Sequence, residues 1–173
     1  MLGRIDWTTP DDHPDLLAAP VRAVTKGLAE EVRVAAIDPD LADTAAFCER
    51  YGVPLEASAN CVVLAAKRGG EVTYAACVVL ATQRADVNGA IRRHLGARKI
   101  SFAPMDEATG LTGMEYGGIT PFGLPDGWPL LVDEAVADTP HVVVGSGLRR
   151  SKLLVPGALL GELPGVRVMP LTR

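Results

Sequence analysis

The sequence predicts an α+β fold, a mixed and barrel-like sheet with surrounding helices, and three observations carry that prediction. Two β-rich runs, 61–67 (CVVLAAK) and 72–81 (VTYAACVVLA), flank Arg68-Gly69-Gly70-Glu71, whose paired glycines supply the positive φ of a tight hairpin. Shorter apolar runs recur in the second half, at 128–133, 141–146 and 152–155. Helix-period segments fall between these runs without the regular βα alternation that a doubly wound sheet needs.

In chain order, residues 14–29 carry Leu16, Leu17, Val21, Val24 and Leu28 at helical spacing, and Pro20 is expected to interrupt them. VRVAAI, 32–37, reads as a strand. A helix is expected over 40–51, with Asp40 as its cap and Gly52-Val53-Pro54 as its stop. After the hairpin, Asp86 caps a helix that Gly96 ends, with Arg92 and Arg93 turned away from its apolar face. KISFA, 99–103, is a short strand, and a short acidic helix begins at Pro104. The tail adds the strands named above, a helix over 156–163, and a last strand in VRVMPL. There is no internal repeat and no low-complexity segment.

At 173 residues, 48% hydrophobic and 22% charged, the chain has the size and apolar content of a single domain, 1–173, with residues 1–30 as a helical N-terminal extension. No window approaches the roughly 18 unbroken apolar residues of a membrane helix. The acidic, Pro-containing start lacks the features of a secretory signal, so a cytoplasmic protein away from membranes is expected. Cys48, Cys61 and Cys77 form no C-x-x-C pair, and His13, His94 and His141 stand far apart, so neither a metal site nor a cofactor is expected. A net charge of −4 argues against broad nucleic-acid binding, DNA included, and leaves room only for a local basic patch.

Chemistry concentrates around the glycines. Gly117-Gly118, ahead of Ile119-Thr120-Pro121, forms a bend that a ligand can approach closely, with amide N–H groups available to an oxygen. A plain turn joining two elements is the alternative. Cys61 could act as a nucleophile only with a lowered pKa, and a thiol inside CVVLAA is more ordinarily inert core. Arg92, Arg93 and Lys99, with Arg149, Arg150 and Lys152, flank the two glycine loops; converging, they would meet phosphates, and otherwise they form solvated faces.

LGARK (95–99), followed by TGMEYGGITPFGL (112–124), closely resembles the YbaK/EbsC family of aminoacyl-tRNA deacylases, which includes the editing insertion of bacterial prolyl-tRNA synthetases. HVVVGSG (141–147) resembles the family's strand ending in a small-residue loop, and the likeness spans about 31–163. It implies the YbaK/prolyl-tRNA synthetase-associated domain fold, and trans-editing of a mischarged tRNA carrying a small amino acid. In that resemblance, Gly117 to Pro121 form the pocket loop, with Ser146 and Gly147 opposite. The tRNA acceptor end is the implied partner, with a synthetase as a second. Hydrolysis in such a pocket is implied to need no side-chain nucleophile, so backbone donors at Gly117 and Gly118 carry the catalysis with Asn60 as a polar contact.

One position departs from the family. Its Lys-Thr-Leu segment corresponds here to Asn60-Cys61-Val62, and asparagine cannot supply an ammonium charge. Lys67 and Lys99 are candidate substitutes, Lys67 the weaker because it stands roughly 20 Å along the strand from Cys61. The alternative reading is a module that binds an aminoacyl-adenosine or docks to a synthetase without turnover.

Overall fold

The computed structural model describes residues 2–28 and 30–173. Its eight strands form two sheets. β1 (Arg33–Ala36), β6 (Val142–Gly145) and β7 (Ser151–Val155) make an antiparallel sheet in the order β1-β7-β6. β2 (Ala59–Arg68), β3 (Glu71–Leu80), β4 (Lys99–Phe102), β5 (Leu130–Asp133) and β8 (Val166–Met169) make a mixed sheet in the order β4-β2-β3-β5-β8. In it β5 runs parallel to both β3 and β8. A bridge between Ser58 and Val143 joins the two sheets at one corner, and they do not close into a barrel.

Each sheet has two covered faces, and the period-2 alternation of its strands assigns side chains to them. Val34, Ala76, Val78, Val132, Val142, Val144, Leu153 and Val155 meet between the sheets, with Phe122 and Leu160 beside them. Burying each valine or leucine among them stabilises the fold by roughly 1.5–3 kcal/mol. Leu64, Ala66, Cys77, Val79 and Leu131 face the other side of the large sheet, under Ile91 and Leu171. Val143 and Leu154 face the other side of the small sheet, where Phe47 of α2 (Thr44–Tyr51) covers them. Because β7 is the central strand and is covered on both faces, all five of its residues are buried, Ser151 and Lys152 included.

The hairpin is as expected: β2 and β3 pair from Ala59–Leu80 to Arg68–Glu71, and Gly69 and Gly70 turn at φ 58° and 81°. Helix starts differ from the expectation in instructive ways. Pro20 stands in the first turn of α1 (Ala19–Thr25) and so begins a helix rather than interrupting one, because its missing N–H is unused there. Of the 14–29 span, residue 29 lies outside the described residues. Over 40–51, Asp38 accepts from the Asp40 amide to cap a single turn, and α2 begins only at Thr44. Asp86 accepts from the amide of Ala90, four residues on, and the turn above it is π-helical before α3 (Arg92–Leu95). The acidic helix is α4 (Met105–Thr112). A short α5 (Glu134–Ala137), capped by Asp133, was not foreseen, and α6 (Gly157–Leu160) is shorter than the 156–163 expected. No helix is long and apolar enough to cross a membrane among the described residues.

Candidate functional site

A cleft of about 850 Å³ opens where the start of β2, the start of α2, the 117–119 loop and the entry to β7 come together. Asn60, Cys61, Val62 and Val63 form its β2 wall, and Ala42, Asp43, Thr44 and Ala45 the α2 wall. Gly117, Ile119, Gly145, Arg149 and Lys152 close the far side. Phe102, Met105 and Tyr116 stand at the rim, each more than half exposed.

The glycines explain how the loop is held. Gly147 N–H donates to Gly118 O at 2.7 Å, Glu115 N–H to Gly147 O at 2.9 Å, and Gly118 N–H to Glu115 O at 3.0 Å. Backbone approaches this close leave no room for side chains: a Cβ on Gly118 would lie 2.8 Å from the Leu148 backbone, and one on Gly145 would lie 2.6 Å from the Gly118 and Ile119 oxygens. Gly117 and Gly147 adopt φ of 82° and 89°, in the region L side chains avoid. Ser146 is buried, bonding Ser151 Oγ at 2.6 Å and taking the Leu148 amide.

The structure therefore divides the residues singled out from the sequence. Asn60, Gly117 and Ile119 line the cleft, as do Arg149 and Lys152. Gly118, Ser146 and Gly147 lie behind its wall and brace it. Thr120 is fully buried and its Oγ1 has no hydrogen-bond partner among the described residues, and Pro121 lines a separate groove of about 420 Å³ with Gly123 and Trp128. The Gly118 amide is already spent on Glu115, whereas the amides of Gly117 and Ile119 donate to no acceptor among the described residues. The Arg92 guanidinium bonds Asn88 O, Arg150 bonds Asp15 O, and Lys99 sits opposite Lys67 on the β2–β4 pair. None of these residues, nor Arg93, lines the cleft.

Asn60 is exposed at the start of β2, its Oδ1 accepts from Thr44 Oγ1 at 2.7 Å, and its amide NH2 donates to no acceptor among the described residues. Arg149 is committed: its guanidinium donates to Tyr116 O and Pro39 O. Lys152 is 7% exposed, donates to Ala42 O at 2.9 Å and stands 5.4 Å over the Phe47 ring. Burial holds its pKa below the ordinary lysine value, with Arg149 adding to the shift and Cys48 and Asp43 opposing it. From the sequence Lys152 has two readings, a cation converging on the glycine loops to meet phosphates or part of a solvated face, and the structure shows it buried in β7 while lining the cleft. The signal that could have shown this was its position inside SKLLV, a run reading as an interior strand.

Cys61 lines the cleft, but burial and the neighbouring Cys77 push its thiol far above the ordinary value, so it is a thiol and not a nucleophilic thiolate at neutral pH. Cys77 is likewise pushed up, to about 12. Among the described residues, no three His, Cys, Asp or Glu side chains gather as a metal site.

No curated protein sequence matches this chain. Among solved structures it resembles a candidate trans-editing enzyme for prolyl tRNA synthetase, at 22% identity and TM-score 0.76, covering 90% of this chain and 96% of that one. It also resembles the hypothetical protein APE2540, at 21% identity and TM-score 0.78, covering 89% of this chain and 99% of that one. At these identities the likeness establishes the fold. The family model for the aminoacyl-tRNA editing domain matches residues 38–163, a span that takes in both the Asn60 wall and the two glycine loops, and the chain belongs to that family of aminoacyl-tRNA deacylases.

Proposed function

We propose that this chain works as a freestanding trans-editing hydrolase, cleaving the ester of a mischarged tRNA that carries a small amino acid. The observation that carries the reading is the convergence of Asn60 and the 117–119 loop, far apart in sequence, on one cleft with unspent donors. Water adds to the ester carbonyl carbon and the carbonyl electron pair moves onto oxygen. The tetrahedral species then collapses, the bond to the ribose oxygen breaks, and that oxygen takes the proton the water gives up. Free amino acid and the tRNA diol result. The amides of Gly117 and Ile119 and the NH2 of Asn60 are the donors we assign to the developing oxyanion, with Gly118, Ser146 and Gly147 as their support. No side-chain nucleophile is needed, since orientation of ester and water supplies much of the acceleration.

Ala45, Ala59, Val62, Val63 and Gly145 restrict the space near Asn60, which favours a small amino-acid side chain because apolar walls exclude oversized groups by sterics. Thr120 and Pro121 support the loop in this reading and do not touch substrate. Arg93, Arg150, Arg92 and Lys99 are proposed to meet acceptor-stem phosphates outside the cleft, in a cytoplasmic, single-domain protein that can also meet a synthetase. One observation favours a second reading, a binding module without turnover: Asn60 is neutral where the family lysine would stand.

Single-turnover deacylation of tRNAs charged with Ala, Cys, Ser and Pro, comparing wild type with Asn60→Lys and Gly117→Leu, separates the two. Hydrolysis by wild type that Gly117→Leu abolishes while its thermal melt stays cooperative supports the hydrolase. Silence in wild type, with activity appearing in Asn60→Lys, supports the binding module and overturns the hydrolase.

A further inference from the structure

We infer that Lys152, arriving from β7, supplies to the ester carbonyl oxygen the cationic contact that Asn60 cannot supply from β2. The inference rests on the hydrolase reading and names a further substrate-contacting residue within it. Asn60 and Lys152 reach one cleft from different strands, β2 and β7, and line it together.

The geometry is specific. On β7, Lys152 pairs with Ala35 of β1 on one side and Gly145 of β6 on the other, so the strand itself is fixed by both neighbours. Gly145 has no side chain to cover the lysine stem. Within the chain the ammonium makes one hydrogen bond among the described residues, to Ala42 O, and rests on the Phe47 face; it makes none to a carboxylate. An ammonium has three protons, so donor capacity remains. Burying a cation without a bonded counterion is costly, and such groups are rarely kept except where they meet a ligand or a partner charge. The other candidate substitutes do not reach the cleft: Lys67 lines a different groove, beside Gly96, and Lys99 is opposite it. Arg149 is on the wall, but its guanidinium is held by the Tyr116 and Pro39 carbonyls.

In the hydrolytic step, Lys152 remains protonated throughout and gives up no proton. It donates to the carbonyl oxygen as the electron pair moves there, and the proton ledger of water and ribose oxygen is unchanged. The groups facing it are Asp43 and Cys48 from α2 and its cap, and Arg149 from the β7 entry; β1 and β6 present Ala35 and Gly145, which do not titrate.

The test is single-turnover hydrolysis of the aminoacyl-tRNA that wild type cleaves best, in wild type and Lys152→Met, from pH 6 to pH 10 with the uncatalysed rate subtracted. Loss of one oxyanion donor predicts a fall of about 10²–10³-fold in the rate constant. The wild-type profile should also bend downward at its alkaline end, as the buried ammonium deprotonates, where the Lys152→Met profile does not; a thermal melt of the variant shows that the comparison is made on folded protein. Rates within threefold, or identical profiles, overturn the inference and leave the hydrolase standing. If wild type cleaves no aminoacyl-tRNA, the hydrolase reading falls separately. Calorimetric titration with 3′-alanylamido-3′-deoxyadenosine then decides the lysine: tighter binding to wild type than to Lys152→Met supports it, and equal binding or none overturns it.

Discussion

Thr44 Oγ1 donates to Asn60 Oδ1 at 2.7 Å, tying the first residue of α2 to the second residue of β2 across the mouth of the cleft. The bond fixes which end of the Asn60 amide is available, since the oxygen is occupied and the NH2 is not. Replacing Thr44 by valine keeps the shape and removes the donor. A hydrogen bond of this kind is worth about 0.5–1.5 kcal/mol, so Thr44→Val should slow single-turnover deacylation by roughly 2–10-fold. Thermal stability should change little, because both residues are at least partly solvated and water replaces the lost partner. A larger loss of melting temperature than of rate would show that the contact serves the fold rather than the site.

The two glycine loops should be intolerant of any side chain. At Gly147 an added Cβ meets the Ala18 Cβ at 2.5 Å and the Val21 methyl at 3.0 Å, and the φ of 89° is itself unfavourable for alanine. Strain in the backbone and overpacking together cost about 2–5 kcal/mol. For a chain of this length that corresponds to a fall in Tm of roughly 5–15 °C for Gly147→Ala. Gly127→Ala is the control, because its φ is also positive, at 82°, but nothing lies within 4 Å of the added atom. The difference between the two melts isolates the packing part from the backbone part.

These contacts mark where the sequence was legible. The hairpin could be read because both of its causes are local: alternation along each strand and a glycine pair between them. The Gly117 loop and Asn60 could be placed in one site only through a family resemblance, since 56 residues separate Asn60 from Gly117 and nothing in either segment names the other. The burial of Lys152 was not legible, for a physical reason. Charge predicts exposure for most lysines, but here both edges of β7 are hydrogen-bonded and both faces covered, and the carbonyl that accepts its proton is 110 residues away. Asp38 and Asp40 were confused because either can cap a turn, and only the backbone decides which carboxylate reaches an amide. The missed α5 was too short for a periodic signal, although Asp133, whose Oδ2 accepts from the Ala135 amide, is the kind of cap that announces one.

Thr120 is a test of polar satisfaction behind the loop. Its hydroxyl is buried without a partner among the described residues, and an unpaired buried hydroxyl costs about 1–3 kcal/mol relative to a satisfied one. Valine has nearly the same shape and no polar atom. Thr120→Val should therefore raise stability by roughly 1 kcal/mol, seen as a higher urea midpoint at unchanged slope. Deacylation should be within twofold of wild type, because the residue does not line the cleft. A loss of stability would mean that the hydroxyl has a partner in solution, an internal water being the simplest.

Lys152 sets stability and activity against each other. Its pKa in the folded chain lies below the ordinary 10.5, mainly because burial disfavours the charged form. The sign follows from proton binding. Well below the folded-state value both folded and unfolded chains carry the ammonium, and the full penalty for burying it is present. Between the folded-state value and 10.5 the unfolded chain binds more protons than the folded one, so stability increases with pH across that window. Lys152→Met removes the charge while retaining most of the stem. At pH 7 the variant should be more stable than wild type by about 1 kcal/mol, and it should lose this alkaline rise in stability. The same substitution should slow hydrolysis, and adding Asn60→Lys should recover part of the rate by bringing an ammonium to the cleft from β2. A lysine kept only for structure predicts the reverse pattern, with Lys152→Met less stable than wild type and its rate unaltered.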